Sequence, residues 1–323
     1  MTDPVKSSAS HTGVATMDWN YEELLIRKIF IDEEACIEFL REHRVLARRE
    51  ECTRCGAEMH LEDRARLIDG QVWRCPKRQC RTTVSMRKNS FFEQSRVRLH
   101  RLVLLIFHWC LDMKQKDLAR ISNISTQMVS RWVTLLRDLC SAEILRYEKR
   151  LGISEDCCIQ IDETFLSRIK SCSNSQARRP KAVWCLGGVC SAHRSNFFIE
   201  IVPPYVGRTK EMLLEMIQRN VNVGTKIYKD SFSSYTDLRK HGYDHNMVNH
   251  RIEYIKALGL NTQLIENLWS RLKYFIKNRK GVQHSLLPAF LDEWYFRMRY
   301  RSHERFGALL RALARDPNYP VTL

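Results

Sequence analysis

A chain of 323 residues has room for two or three modest domains, each with a core that needs no covalent staple. With 44% hydrophobic and 28% charged residues it is not a disordered chain, and no stretch approaches the roughly 18 to 20 apolar residues of a membrane span. The formal charge of +16 favours a polyanionic partner, nucleic acid rather than membrane.

Residues 1–17 are small and polar, with no secretory signal, and are expected as a disordered leader. Without such a signal, the twelve cysteines point to a reducing compartment, with metal ligands and buried thiols rather than disulfides. Residues 18–50 form a helical segment, with short amphipathic helices predicted over Tyr21–Phe30 and Asp32–His43. Asp32 is placed to cap the second of them, ahead of Glu33 and Glu34. A small bundle or a dimer contact is the expected role.

Residues 51–95 change character. Cys52-Thr-Arg-Cys55-Gly56 and Cys75-Pro-Lys-Arg-Gln-Cys80 are two cysteine knuckles whose four thiolates suit one tetrahedral Zn²⁺. Strand-like pieces at Arg64–Ile68, Gln71–Arg74 and Thr82–Ser85 complete a zinc ribbon. Between Arg74 and Arg101 stand nine Arg or Lys and one acid. Within this run Arg74, Lys77, Arg78, Arg81, Arg87 and Lys88 are candidate DNA contacts.

Residues 96–150 are helical by pattern. Leu99–Leu111 reads as a core helix, Gln115–Ile121 as a short helix, and a polar break at Ser122-Asn123-Ile124 precedes another helix that Ser125 caps. This is the outline of a helix-turn-helix DNA-binding domain. Its second helix would present Thr126, Gln127, Ser130 and Arg131 to DNA.

From residue 151 to 285 the pattern turns to α/β. Strands are predicted at Cys157–Asp162, Lys181–Val189 and Asn196–Val202, a helix at Lys210–Asn220 and a strand at Lys226–Asp230. A helix at Ser233–His241, a strand near His245–Val248 and a helix at Gln263–Arg279 follow. Three strands, a helix, a strand, a helix and a strand is the order of a ribonuclease-H-like core. The chain closes with a helical segment over 286–323, with helices at Leu286–Tyr300 and His303–Leu313. Between Trp269 and Arg315 stand eleven Arg or Lys and three acids. Lys277, Arg279 and Lys280 are further DNA candidates there, and Arg297, Arg299, Arg301 and Arg305 would track target or flanking DNA.

Three carboxylates carry the chemistry. Asp162 and Asp230 close two predicted strands, and Glu266 opens a predicted helix. Two strand-end acids and a helix acid can converge on a pair of divalent metal ions, and in so basic a chain the substrate is a phosphodiester. Trp269, on the same helix as Glu266, is expected to pack in the core.

The stretches Asp162-Glu163-Thr164, Lys229-Asp230-Ser231 and Asn261-Thr262-Gln263-Leu264-Ile265-Glu266-Asn267-Leu268-Trp269, with the ribbon running into Ser90-Phe91-Phe92, resemble the Merlin superfamily of eukaryotic DNA transposons. They equally resemble its bacterial insertion-sequence relatives with an ISXO-type DDE domain. The resemblance covers about residues 50 to 300. It implies a cut-and-paste transposase, whose catalytic acids fall on Asp162, Asp230 and Glu266 and hold two Mg²⁺ (or Mn²⁺) ions. Lys273, seven residues after Glu266 and on the same helix face, is a candidate phosphate contact, and His250 a candidate for positioning the nucleophile. The chain departs from the family at Asn261, where a histidine is usual. The implied partners are double-stranded DNA, as terminal inverted repeats and as target, and further copies of the chain in a homodimer or higher oligomer. The implied compartment is the nucleus. A domesticated DNA-binding protein that lost the reaction, and a nuclease of the same fold without strand transfer, are the alternatives.

Overall fold

The computed structural model describes residues 20–147, 150–152, 158–168, 182–193, 195–203, 207–230, 238–248, 263–279 and 282–315. The expected leader therefore lies outside the described residues. The chain forms two compact units, Met1–Glu143 with Tyr300–Leu323, and Ile144–Arg299. The two helices grouped by sequence into one C-terminal segment thus fall in different units.

In the first unit, α1 (Tyr21–Ile26) and α2 (Glu33–Glu42) come first, and the Asp32 side chain caps α2 by accepting from the Ala35 N–H at 2.9 Å. An antiparallel sheet follows, in the order β1 (His60–Asp63), β2 (Gln71–Arg74), β3 (Thr83–Ser85). The strand expected at Arg64–Ile68 is instead the turn between β1 and β2. The Arg64 N–H bonds the Gly70 carbonyl at 2.6 Å, and Gly70 takes the left-handed φ of +70° that the reversal needs. Then come α3 (Leu99–Cys110), α4 (Gln115–Ser122) and α5 (Thr126–Ile144), with α9 (Arg305–Arg315) returning from the far end of the chain. Asn123 ends α4 in the left-handed conformation at φ 52°, and the Ser125 hydroxyl accepts from the Met128 N–H at 3.3 Å to start α5.

Aromatic contacts close this unit. Phe91 and Phe92, just past the ribbon, lie 5.5 and 6.0 Å from the Trp132 ring on α5. Phe306 of α9 lies 5.3 Å from Phe107 on α3 and 6.4 Å from Phe39 on α2. A buried ionic network crosses the same region. Arg87, 2% exposed, donates from Nε to both oxygens of Asp69 at 3.0 and 2.8 Å, and its Nη2 pairs with Asp69 as well. Its Nη1 donates to the carbonyls of Ser95 and Val97 at 3.1 and 2.7 Å. Nη2 also lies 3.8 Å from Glu33, whose carboxylate accepts the N–H groups of Leu99 and His100 and so caps α3.

The second unit is built on a five-stranded sheet in the order β6-β5-β4-β7-β8, comprising β4 (Cys158–Arg168), β5 (Ala182–Cys190), β6 (Phe197–Ile201), β7 (Lys226–Asp230) and β8 (Asp244–Val248). β5 is antiparallel to β4 and β6, whereas β7 runs parallel to both β4 and β8. Two antiparallel hairpins, then parallel strands added on the other side of the first strand, make this a ribonuclease-H-like sheet.

Strand alternation gives the sheet two faces. Ile159 and Ile161 pack with Leu213, Met216 and Ile217 of α6 (Lys210–Asn220) on one face. Val183, Cys185 and Val189 pack on the other with Ile265, Leu268, Trp269 and Leu272 of α7 (Gln263–Asn278) and Leu291 and Trp294 of α8 (Leu287–Arg299). The predicted helix at Ser233–His241 falls mostly outside the described residues, and its end is a short 3-10 turn at Leu238–His241.

Two expectations fail in this unit. β4 does not stop at Asp162 but continues to Arg168 as the partner of β5, so Asp162 is a mid-strand residue. Cys190 is disulfide-bonded, contrary to the reading of thiols throughout, whereas Cys110, Cys140 and Cys185 are buried and outside any disulfide, as expected.

The Arg87 network yields the first prediction. Arg87→Ala leaves Asp69 a buried, uncompensated carboxylate and is expected to cost about 3–5 kcal/mol. Urea unfolding of the variant against the parent chain measures this, and a loss within the scatter of surface mutations would show the network to be dispensable.

Candidate functional site

Strand register sets the segments that carry the first two acids side by side. β4 and β7 pair in parallel at Cys158↔Lys226, Ile159↔Ile227 and Gln160↔Tyr228. Continuing that register by two residues sets the backbone of Asp162 level with that of Asp230, on adjacent strands and on the same face of the sheet. Asp162 thus lies beyond the last paired residue of β4 with β7, while its antiparallel neighbour β5 carries on.

Two side-chain hydrogen bonds fasten α7 to this strand. The Gln160 amide oxygen, buried, accepts the Ile265 N–H at 3.3 Å. Ile265 lies in the first turn of α7, where backbone N–H groups have no partner within the helix. The Trp269 indole Nε1–H donates to Asp162 Oδ2 at 3.1 Å. Glu266 stands between these two tethers on the exposed side of the helix, and Lys273 is exposed two turns further on. Asp162 is half-buried. Hard carboxylate oxygens are the donors that Mg²⁺ or Mn²⁺ take, so the residue types at these positions fit such ions. His250, Asn261 and Lys280 lie outside the described residues.

Sequence reasoning assigned Trp269 to packing alone. It is buried, 4% exposed, as expected, but it also contacts the first acid. The signal was present in Gly187, the register partner of Asp162: a Cβ there would come within 2.4 Å of the Trp269 ring. Only a residue without a side chain lets the indole lie against β5 beside the carboxylate.

In the ribbon the four sulfurs of Cys52, Cys55, Cys75 and Cys80 lie within 4.8 Å of one another, the one such cluster of His, Cys, Asp and Glu among the described residues. The Cys52–Cys80 and Cys55–Cys75 pairs are each 3.5 Å apart. A tetrahedron of sulfurs about 2.3 Å from a central zinc has edges of about 3.8 Å, so the four cysteines fit one zinc ion. The Thr82 hydroxyl, 3.1 Å from Cys80 Sγ, pulls the Cys80 thiol down to about 6, whereas burial pushes Cys75 up to about 12. A metal bound here would displace the Cys75 proton.

The basic candidates divide. Lys77, Arg78 and Arg81 are exposed around the second knuckle, and Thr126, Gln127, Ser130 and Arg131 are all exposed on one side of α5, opposite buried Val129, Trp132 and Val133. Lys277 is exposed as well. Arg87 is not a surface contact at all, being the buried centre of the Asp69 network. Arg74 is held by Glu62 at 2.5 Å, Lys88 by Glu50 at 2.6 Å and Arg279 by the fully buried Glu293 at 2.6 Å. The C-terminal arginines are mostly engaged too. Arg297 is buried against Glu293 at 2.8 Å, Arg305 pairs with Asp112 at 2.7 Å, and Arg299 stacks 3.6 Å from the Tyr147 ring. Arg301 is exposed. A run of positive charge in sequence does not separate cations that face water from cations that neutralise buried acids.

Residues 158–302 match the model of the ISXO2-like transposase domain, a span that takes in the whole five-stranded sheet and α6, α7 and α8. No curated protein matches the chain. Among solved structures, the chain is similar to the Mos1 transposase paired-end complex with left transposon end, at 17% identity over 66% of this chain and 78% of that one, with a TM-score of 0.27. It is also similar to the mariner Mos1 paired end complex with Mg, at 15% identity over 65% and 75% of the two chains, with a TM-score of 0.25. The fold assignment rests on the strand order and not on these scores.

The cysteine cluster makes a direct prediction. The purified chain should carry one zinc per molecule by elemental analysis, and Cys75→Ser should lose it and unfold the ribbon. A zinc-free parent chain with an intact ribbon would contradict the assignment.

Proposed function

We propose that this chain, whose residues 158–302 match the model of the ISXO2-like transposase domain, is a DNA transposase that cuts at terminal inverted repeats and joins the freed 3′-hydroxyls to target DNA. The observation that carries the reading is the placement of the acids. β4 and β7 pair in parallel up to Gln160↔Tyr228, two residues before Asp162 and Asp230, and Glu266 is on a helix tied to Asp162 and Gln160.

In this reading Asp162, Asp230 and Glu266 hold two Mg²⁺ or Mn²⁺ ions. When bound, the ions supply activation of the attacking oxygen and stabilisation of the leaving one in an in-line displacement. The chain's own residues do the rest. Asp162, half-buried, meets the scissile phosphodiester, and Glu266 approaches from the exposed side of α7. Lys273, exposed on that side, neutralises a neighbouring phosphate. His250 positions the nucleophile in the same reading.

Binding falls to the first unit. The exposed Thr126, Gln127, Ser130 and Arg131 on α5 are residue types that reach base edges in a major groove. Lys77, Arg78 and Arg81 beside the second knuckle suit phosphates, as does Lys277 in the second unit. Two repeats require at least two copies of the chain, so a homodimer or larger assembly is part of the proposal. Its place of action is the nucleus.

The test is cleavage of a duplex bearing the element's terminal repeat, with and without Mg²⁺. Metal-dependent nicking at the repeat tip is expected, abolished in Asp162→Asn, Asp230→Asn and Glu266→Gln while repeat affinity is unchanged. Tight repeat binding with no nicking under Mg²⁺ or Mn²⁺ would overturn the enzymatic reading and leave a DNA-binding protein.

A further inference from the structure

The geometry points to Trp269 as a positioning residue for catalysis: its indole N–H holds the Asp162 carboxylate in the orientation that receives metal. This inference rests on the transposase reading above and deepens it by naming what sets the first metal ligand.

Three observations carry it. The indole Nε1 lies 3.1 Å from Oδ2 of Asp162. Trp269 is 4% exposed, and Leu268, Leu272 and Ile265 share its cluster, so the indole has little freedom to rotate away. Gly187 lies directly across the ladder from Asp162, and an added Cβ there would sit 2.4 Å from the Trp269 Cη2. The sheet thus omits a side chain at the one register position where the indole has to pass.

The consequence follows from carboxylate chemistry. A carboxylate has two oxygens and about four lone-pair sites, and it turns freely unless something pins it. A donor on Oδ2 limits the rotation of the group and so sets the direction in which its lone pairs meet a metal. Trp offers one donor and no acceptor, so the ring cannot itself compete for the cation. It also helps hold the helix that carries Glu266, three residues earlier and one turn away. Groups that orient metal-binding side chains in this way typically contribute about 10- to 100-fold in metal affinity or activity.

The experiment uses the full chain and Trp269→Phe, which keeps a ring and removes the N–H. The Mg²⁺ concentration for half-maximal repeat cleavage should rise about 10- to 100-fold, with the rate at saturating Mg²⁺ recovering toward the parent value and repeat affinity unchanged. Gly187→Ala, which displaces the indole without removing it, should shift the same midpoint in the same direction. An unshifted Mg²⁺ midpoint in a folded, active Trp269→Phe chain overturns the proposal.

Should that variant fail to fold, or lose activity at every Mg²⁺ concentration, the indole N–H signals of the parent chain decide. The chain has seven tryptophans. In ¹H–¹⁵N spectra one indole signal should move on adding Mg²⁺, and the same signal should be displaced in Asp162→Ala. If no indole signal responds to either, Trp269 does not hold Asp162. A parent chain without metal-dependent cleavage would instead sink the transposase reading, and the indole spectra would still report separately on the contact.

Discussion

The seam between β4 and α7 is the constraint on which the second unit depends. The helix carrying Glu266 has to be fixed against the sheet carrying Asp162 and Asp230, and apolar packing alone leaves it free to slide or roll. Here Leu268, Trp269 and Leu272 bury against Val183, Cys185 and Val189, which holds the helix down. The two polar tethers then specify its position. Gln160 takes up a first-turn N–H that the helix cannot satisfy itself, and Trp269 reaches Asp162 across the space left by Gly187. Both tethers leave β4 on the same face, two residues apart, so strand alternation delivers them together. Glu266 is carried between them. α8 reinforces this face from further along, where the Tyr295 hydroxyl both accepts the Ile199 N–H and donates to its carbonyl.

The first unit solves a different problem, that of a small ribbon with little core of its own. Its three short strands bury few side chains, chiefly Val72 and Trp73 on β2. Two devices make up the deficit. The cysteine cluster gathers both knuckles, and Arg87 joins Asp69 in the ribbon to the backbone of the segment leading into α3. Phe91 and Phe92 then meet Trp132, whose helix presents Gln127 and Arg131 on its opposite side. The buried face of α5 and its exposed polar face are thus held by one set of contacts.

Much of this was legible in the residues themselves. Cysteine spacing marks the ribbon because two close pairs in such a polar stretch suit metal ligation, and Ser125 marks the start of α5 because a capping hydroxyl has a fixed place. The strand order emerged from alternating and apolar runs, and Asp230 and Glu266 stand where those runs placed them. The failures share one cause, the dependence of a residue's role on tertiary partners. Arg87 and Arg297 look like solvated charges in sequence and are buried against Asp69 and Glu293. Asp162 looks like a strand end because the apolar run stops there, yet pairing with β5 carries the strand on to Arg168. Trp269 looks like packing because an indole N–H finds its acceptor only once Gly187 and Asp162 are set side by side. The disulfide at Cys190 is not legible in the sequence because the number and spacing of cysteines do not give their proximity in the fold.

In the proposed function Asp162, Asp230 and Glu266 form one metal centre. Crystals of the full chain with terminal-repeat duplex, soaked in Mn²⁺, test it through anomalous scattering. Two peaks about 3.5–4 Å apart, ligated by these three carboxylates with the scissile phosphate between them, are the predicted result. Mn²⁺ bound elsewhere, or Glu266 turned away from the two aspartates in the DNA-bound state, would contradict the account.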